Sequence, residues 1–133
     1  YYGPFRTALD SAPRNDSSKK IPKNKESYQM DPSNAKEALI ECALDQFEGA
    51  DIMMVKPGLS YLDIIYRLSN FSNKPIAAYN VSGEYSMIKA AAIKGWIEER
   101  DVVLETLLSF KRAGAKLILT YHACDAANWL KEI

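Results

Sequence analysis

A chain of 133 residues can bury one sizeable core, and 17 Lys+Arg against 17 Asp+Glu give it a formal net charge of zero. That balance gives no footing to nucleic acid or to an acidic membrane as a partner, so an anionic ligand has to be met by a few local cations. No apolar run approaches about 18 residues, which excludes a predicted membrane-spanning helix, and His122 is the single histidine, which excludes a multi-histidine zinc site.

Tyr1-Tyr2-Gly3-Pro4-Phe5-Arg6 has neither the basic nor the apolar region of a signal peptide, and with no initiator methionine the chain is expected to be a fragment. Residues 13–26 are polar, lysine-rich and turn-rich without periodicity, which predicts a long mobile loop: a solvated linker or a lid. After Tyr28-Gln29-Met30, the Pro32, Asn34 and Glu37 pattern predicts a helix start. Leu39, Ile40, Ala43, Leu44 and Phe47 form its predicted apolar face, and Gly49 its stop. Glu41 lies off that face and reads as an ordinary solvated carboxylate.

Ile52-Met53-Met54-Val55 is a continuous apolar run closed by Lys56-Pro57-Gly58, as expected of a short strand buried on both faces. Ser60 and Asp63 are the expected cap of a helix that buries Tyr61, Ile64, Ile65 and Leu68. A second such strand is predicted over 76–81, followed by an alanine-rich helix to Lys94 with Gly95 as its stop. A helix from about Asp101 carries Val103, Leu104, Leu107 and Leu108 and stops at Gly114. A third strand covers 117–121, and a short helix covers 126–133. Cys42 and Cys124, far apart in helical patterns, read as reduced, buried thiols. Strands alternating with helices predict an α/β fold with a parallel sheet. Three strands are too few to close a (β/α)8 barrel of about 250 residues, so the chain is either a small open domain or the last part of a larger barrel.

The three predicted strands end in Lys56, in Tyr79 and Ser82, and in Tyr121. In a parallel sheet all of these open onto one face, where α/β proteins place their chemistry. Lys56 by its spacing alone fits a solvated lysine beside a turn. Held against Val55, Pro57 and tyrosine rings, its amine would be partly desolvated, and a neutral amine attacks a ketone to form a Schiff base. A hydroxyl and a phenol can hold a carboxylate without adding negative charge. The chemistry expected is a Schiff-base reaction on a small keto acid.

Five segments carry a resemblance: Tyr2-Gly3-Pro4-Phe5-Arg6, Tyr28-Gln29-Met30, Met54-Val55-Lys56-Pro57-Gly58, Val81-Ser82-Gly83-Glu84-Tyr85 and Phe110-Lys111-Arg112-Ala113-Gly114-Ala115. Together, and in this order, they resemble the 5-aminolevulinate dehydratase (porphobilinogen synthase) family. The resemblance implies the C-terminal part of a TIM-type (β/α)8 barrel, about three βα units over residues 1–133 with an active-site lid at 13–30. It implies condensation of two 5-aminolevulinate molecules to porphobilinogen, for heme or chlorophyll synthesis. Lys56 matches the Schiff-base lysine, and Ser82 and Tyr121 match the residues that hold the first substrate's carboxylate. Arg6 and Lys25 match the cations for the second. Phe5, Gln29 and Tyr79 match pocket and lid neighbours, and Glu41 matches a carboxylate supporting an allosteric magnesium between subunits of a homo-octamer. A second active-site lysine and a metal-binding segment are expected upstream of Tyr1, which leaves zinc or magnesium at the active site open. A cytoplasmic or plastid location is expected.

Two other readings stand beside this one: a different Schiff-base lyase or aldolase on the same barrel, and an inactive truncated chain. In a chain alone, Ile52, Met54, Ile76, Ala78, Leu117 and Leu119 are expected to face missing partners, and the 133 residues alone to be inactive.

Overall fold

The structure, a computed structural model, describes residues 3–5 and 28–132. Arg6, Lys25 and the loop expected at 13–26 lie outside them. Strands β1 (Met53–Val55), β2 (Ile76–Asn80) and β3 (Leu117–Thr120) form one parallel sheet in the order β1-β2-β3. It is accompanied by helices α1 (Glu37–Phe47), α2 (Leu62–Phe71), α3 (Ser82–Ile93), α4 (Glu99–Ala113) and α5 (Ala123–Trp129). Parallel neighbours need a crossover element between them; α2 joins β1 to β2, and α3 with α4 joins β2 to β3. The expected three βα units are present.

One face of the sheet carries the core. Met53 pairs with Ile76 and Val55 with Ala78, and all four are buried beneath α2 and α4. Ile65 and Leu68 are three residues apart on α2 and so share the stripe that meets the sheet. Phe110, on α4, is fully buried among them, a burial that contributes about 1.5–3 kcal/mol. Its ring lies under Gly58, where a Cβ would come within 2.7 Å of Phe110 Cε1. Gly114 ends α4 with φ at 113°, its N–H bonding back to Phe110 and Lys111, and a Cβ there would strike the Ser69 side chain.

The other face is open. Register sets Met54 beside Ala77 and Ala77 beside Leu117, with Tyr79 beside Leu119. Met54 is 48% exposed and Leu119 43%, while the small Ala77 is shadowed by its neighbours. The expectation of strands buried on both faces holds for the central β2, where only Tyr79 is partly exposed, and is corrected for β1 and β3. So is the placing of Ile76 and Ala78 among residues facing absent partners: they belong to the covered face, because Met54 pairs with Ala77 and not Ala78, and a one-residue offset exchanges faces.

Other boundaries and faces differ from the sequence expectations. Val81 is the N-cap of α3 rather than the end of β2. Most of the predicted apolar face of α1, Ile40, Ala43, Leu44 and Phe47, is turned outward, with Phe47 90% exposed; of that face Leu39 packs on the core, beside Cys42. No side chain caps α2, so Ser60 does not have the role expected of it. Helices α4 and α5 begin two and three residues earlier than predicted. Cys42 is buried as expected, but Cys124 is exposed, because α5 packs through Ala126.

Candidate active site

The ends of the three strands open into one cavity of about 920 Å³. Lys56, Tyr79, Ser82 and Tyr121 all line it, and so do Gln29 and Glu41. Lys56 follows β1 directly, and its Nζ stands 5.3 Å from the centre of the Tyr79 ring. At that distance the ring face attracts the ammonium. The Lys56 side chain is exposed, so the desolvation expected from Val55, Pro57 and the tyrosines is not supplied by the described residues. The open face of the sheet is the reason.

Tyr79 and Tyr121 face each other with their hydroxyls 3.3 Å apart. That hydrogen bond, and burial after it, push the Tyr79 phenol above its ordinary range, so it stays a neutral donor or acceptor at pH 7. Ser82 is the first residue of α3, with Val81 as N-cap. A helix start concentrates unpaired N–H groups and positive potential, which suits a carboxylate beside Ser82. Glu41 is exposed on α1 and Gln29 is exposed ahead of it. Phe5 closes a short turn over Gly3–Phe5. Arg6 and Lys25 are not among the described residues.

The floor beneath the cavity is polar and buried. Glu84 and Asn80 are fully buried, and Glu84 accepts hydrogen bonds from Leu59 N–H, Asn80 Nδ2 and Val81 N–H at 2.8, 2.8 and 2.9 Å. Burial pushes the Glu84 carboxyl upward and these three bonds oppose it. Thr120 donates to Asn80 Oδ1 at 2.8 Å and accepts from His122 N–H at 3.1 Å. Sequence reading assigned no role to any of these residues. The available signal was Asn80, a polar residue inside an apolar strand, four residues before a glutamate.

Behind Tyr121 lies a second group. The Tyr85 ring is 5.6 Å from that of Tyr121 and 4.6 Å from that of His122. His122 is fully buried, and among the described residues neither ring nitrogen has a hydrogen-bond partner. Burial, and then the nearby Lys89 charge, pull its imidazole below its ordinary range. Ligating atoms of Glu99, His122 and Asp125 lie within 4.8 Å of one another, but Lys89 is already there, bonded to Glu99 and 3.9 Å from Asp125. The ammonium supplies the positive charge that two carboxylates call for.

Comparison with known proteins follows the same residues. Residues 1–129 match the family model described as delta-aminolevulinic acid dehydratase. The chain is 62% identical over 132 residues to the delta-aminolevulinic acid dehydratase of Synechocystis sp., covering 99% of this chain and 38% of that protein. It is 56% identical to the chloroplastic enzyme of Chlamydomonas reinhardtii, covering 98% of this chain and 34% of the relative. It superposes with a TM-score of 0.85, at 52% identity, on the crystal structure of delta-aminolevulinic acid dehydratase (porphobilinogen synthase) from Toxoplasma gondii in complex with the reaction product porphobilinogen. That match covers 99% of this chain and 36% of the other. The chain thus spans a little over a third of the length of these relatives.

Proposed function

The chain belongs to the delta-aminolevulinic acid dehydratase family, and on that premise we propose that it is the C-terminal part of an enzyme that condenses two 5-aminolevulinate molecules to porphobilinogen. The observation that carries the proposal is the single cavity that takes Lys56, Tyr79, Ser82 and Tyr121 from the C-terminal ends of three parallel strands. In this reading the Lys56 amine attacks the ketone of the first substrate, forming a C–N bond, and water leaves as the imine forms. Ser82 and Tyr121 hold the carboxylate of that substrate. Tyr79 sits between Lys56 and Tyr121 and sets the distance between amine and anion site. Condensation with the second substrate releases the second water and frees Lys56.

Arg6 and Lys25 bind the second carboxylate in this proposal, and residues 13–30 close over the cavity and exclude water. Phe5 and Gln29 are wall and lid neighbours. Glu41 serves an allosteric magnesium. Among the described residues it joins no cluster of three ligating side chains, so water and other groups would have to complete that shell, and no step above passes through a metal. Activity belongs to the complete enzyme, which the reading makes a homo-octamer; exposed Ile40, Leu44 and Phe47 on α1 are apolar surface available for assembly. The relatives include bacterial and chloroplastic enzymes, which supports a cytoplasmic or plastid setting; none of the described helices is long and apolar enough to cross a membrane.

Borohydride reduction of the complete enzyme with 5-aminolevulinate, followed by peptide mapping, tests the assignment. The adduct is expected on the peptide carrying Lys56. An active enzyme labelled elsewhere would remove Lys56 from the chemistry.

A further inference from the structure

We propose that Glu84 is a positioning residue that sets the three strand-end groups of this cavity through one directed hydrogen-bond network. The inference rests on the reading of Lys56, Ser82 and Tyr121 as site residues. Glu84 does not line the cavity and acts only through others. Its carboxylate touches two βα junctions directly, at residues next to or close beyond the group concerned, and reaches the third through Asn80 and Thr120. Leu59, three residues after Lys56, donates to Oε1; Val81, immediately before Ser82, donates to Oε2. Asn80 also donates to Oε2, and passes the connection through Thr120 to the N–H of His122, immediately after Tyr121.

The directions of these bonds are fixed. Backbone N–H groups can only donate, so Leu59 and Val81 require acceptors at both carboxylate oxygens. With Oε2 as acceptor, Asn80 turns its amide nitrogen to Glu84 and its oxygen to Thr120. The Thr120 hydroxyl then donates to Asn80 and is left with a lone pair for His122 N–H. Leu59 N–H, Val81 N–H and Asn80 Nδ2 therefore all point at one buried carboxylate, His122 N–H points at Thr120, and no rotation of an amide or hydroxyl gives a second arrangement. Glutamine at position 84 keeps the volume but has to present an NH2 to a donor, at Leu59 on one side or at Val81 and Asn80 on the other. One loop is released in either case.

The test uses the complete enzyme and reads kcat and KM for 5-aminolevulinate, with circular dichroism and thermal melts as controls on folding. Glu84→Gln is expected to lower kcat/KM by about tenfold or more, the loss of one charge-assisted bond expressed at the site. Thr120→Val and Thr120→Ser supply a second arm should Glu84→Gln fail to fold. Valine matches the shape of threonine but breaks the connection; serine keeps the hydroxyl and loses packing. Positioning predicts a several-fold rise in KM for valine and near-normal kinetics for serine, whereas a packing role predicts the reverse order. Thr120→Val with wild-type kinetics, serine as impaired as valine, or a folded Glu84→Gln with unchanged kcat/KM would each overturn the proposal. Wild-type enzyme not trapped at Lys56 by borohydride would defeat the reading of Lys56 instead, and the valine–serine order would still decide the role of the network at Tyr121.

Discussion

The two faces of the sheet are built from alternate residues of the same three strands, yet they do different work. On the covered face Met53, Val55, Ile76 and Ala78 meet α2 and α4, and Phe110 completes a core closed to solvent. On the open face Met54, Leu117 and Leu119 remain close to half exposed, and this is the face whose upper row carries Tyr79 and ends beside Lys56 and Tyr121. The difference teaches that the described residues hold their own scaffold but do not by themselves enclose the cavity. Stability should be lost by substitutions on one face, and chemistry by substitutions on the other.

The largest expected effect breaks the covered face. Phe110→Ala should cost about 3–5 kcal/mol in urea unfolding, because a fully buried ring leaves a cavity that rigid strand and helix backbones cannot close. A cost under about 1 kcal/mol would mean that α4 is not docked as described. Next in size is Tyr121→Phe in the complete enzyme. If Tyr121 holds the substrate carboxylate as proposed, removing its hydroxyl should weaken substrate binding by about 1.5–3 kcal/mol, roughly ten- to a hundredfold, without a change in melting temperature. Unchanged kcat and KM would take Tyr121 out of the site.

A smaller effect sharpens the comparison at the edge between the faces. His122→Phe keeps the ring against Tyr85 and removes two buried nitrogens that have no partner among the described residues, so it should raise stability by about 1 kcal/mol in thermal melts. It should also change the pH profile. The folded chain keeps His122 neutral, through burial first and Lys89 second, with Glu99 and Asp125 pulling the other way, while the unfolded chain takes up a proton near pH 6.5. Below that pH the unfolded state binds more protons, so stability falls with acidification from about 6.5 down to the depressed folded value. His122→Phe should flatten that slope, and an unaltered slope would assign it to other groups. The smallest effect belongs to the open face: Met54→Ala in the 133-residue chain should change stability by less than about 1 kcal/mol. A larger loss would show that copies of the chain cover this face for one another, which sedimentation would then detect.

The alternation of apolar runs and amphipathic stretches was enough to place three parallel strands and their crossovers, because each run ends in a turn signal such as Pro57-Gly58 or Gly114. It could not assign the faces. Ile76 and Ala78 were set on the wrong side because register is a property of pairs of strands, which no single run contains. On α1 most of the regular apolar stripe, Ile40, Ala43, Leu44 and Phe47, is turned outward, and the neighbouring core accepts Leu39 from that stripe together with Cys42. That Lys56, Tyr79, Ser82 and Tyr121 come together on one cavity was legible because each lies at or just beyond the C-terminal end of a strand. Glu84 was not, because its partners are Leu59, Asn80 and Val81, and one of them is 25 residues away.

Gly58 has a consequence for how such a chain can change over generations. Its N–H is held by Tyr79 O at 2.8 Å, and the space where a side chain would begin is taken by the Phe110 ring. Alanine at 58 collides with phenylalanine at 110, while a smaller residue at 110 alone leaves a void. Either single step is a loss, so the two positions can drift only together, through an intermediate less fit than both ends. The loop that carries Lys56 is thereby held in place by history as well as by contact.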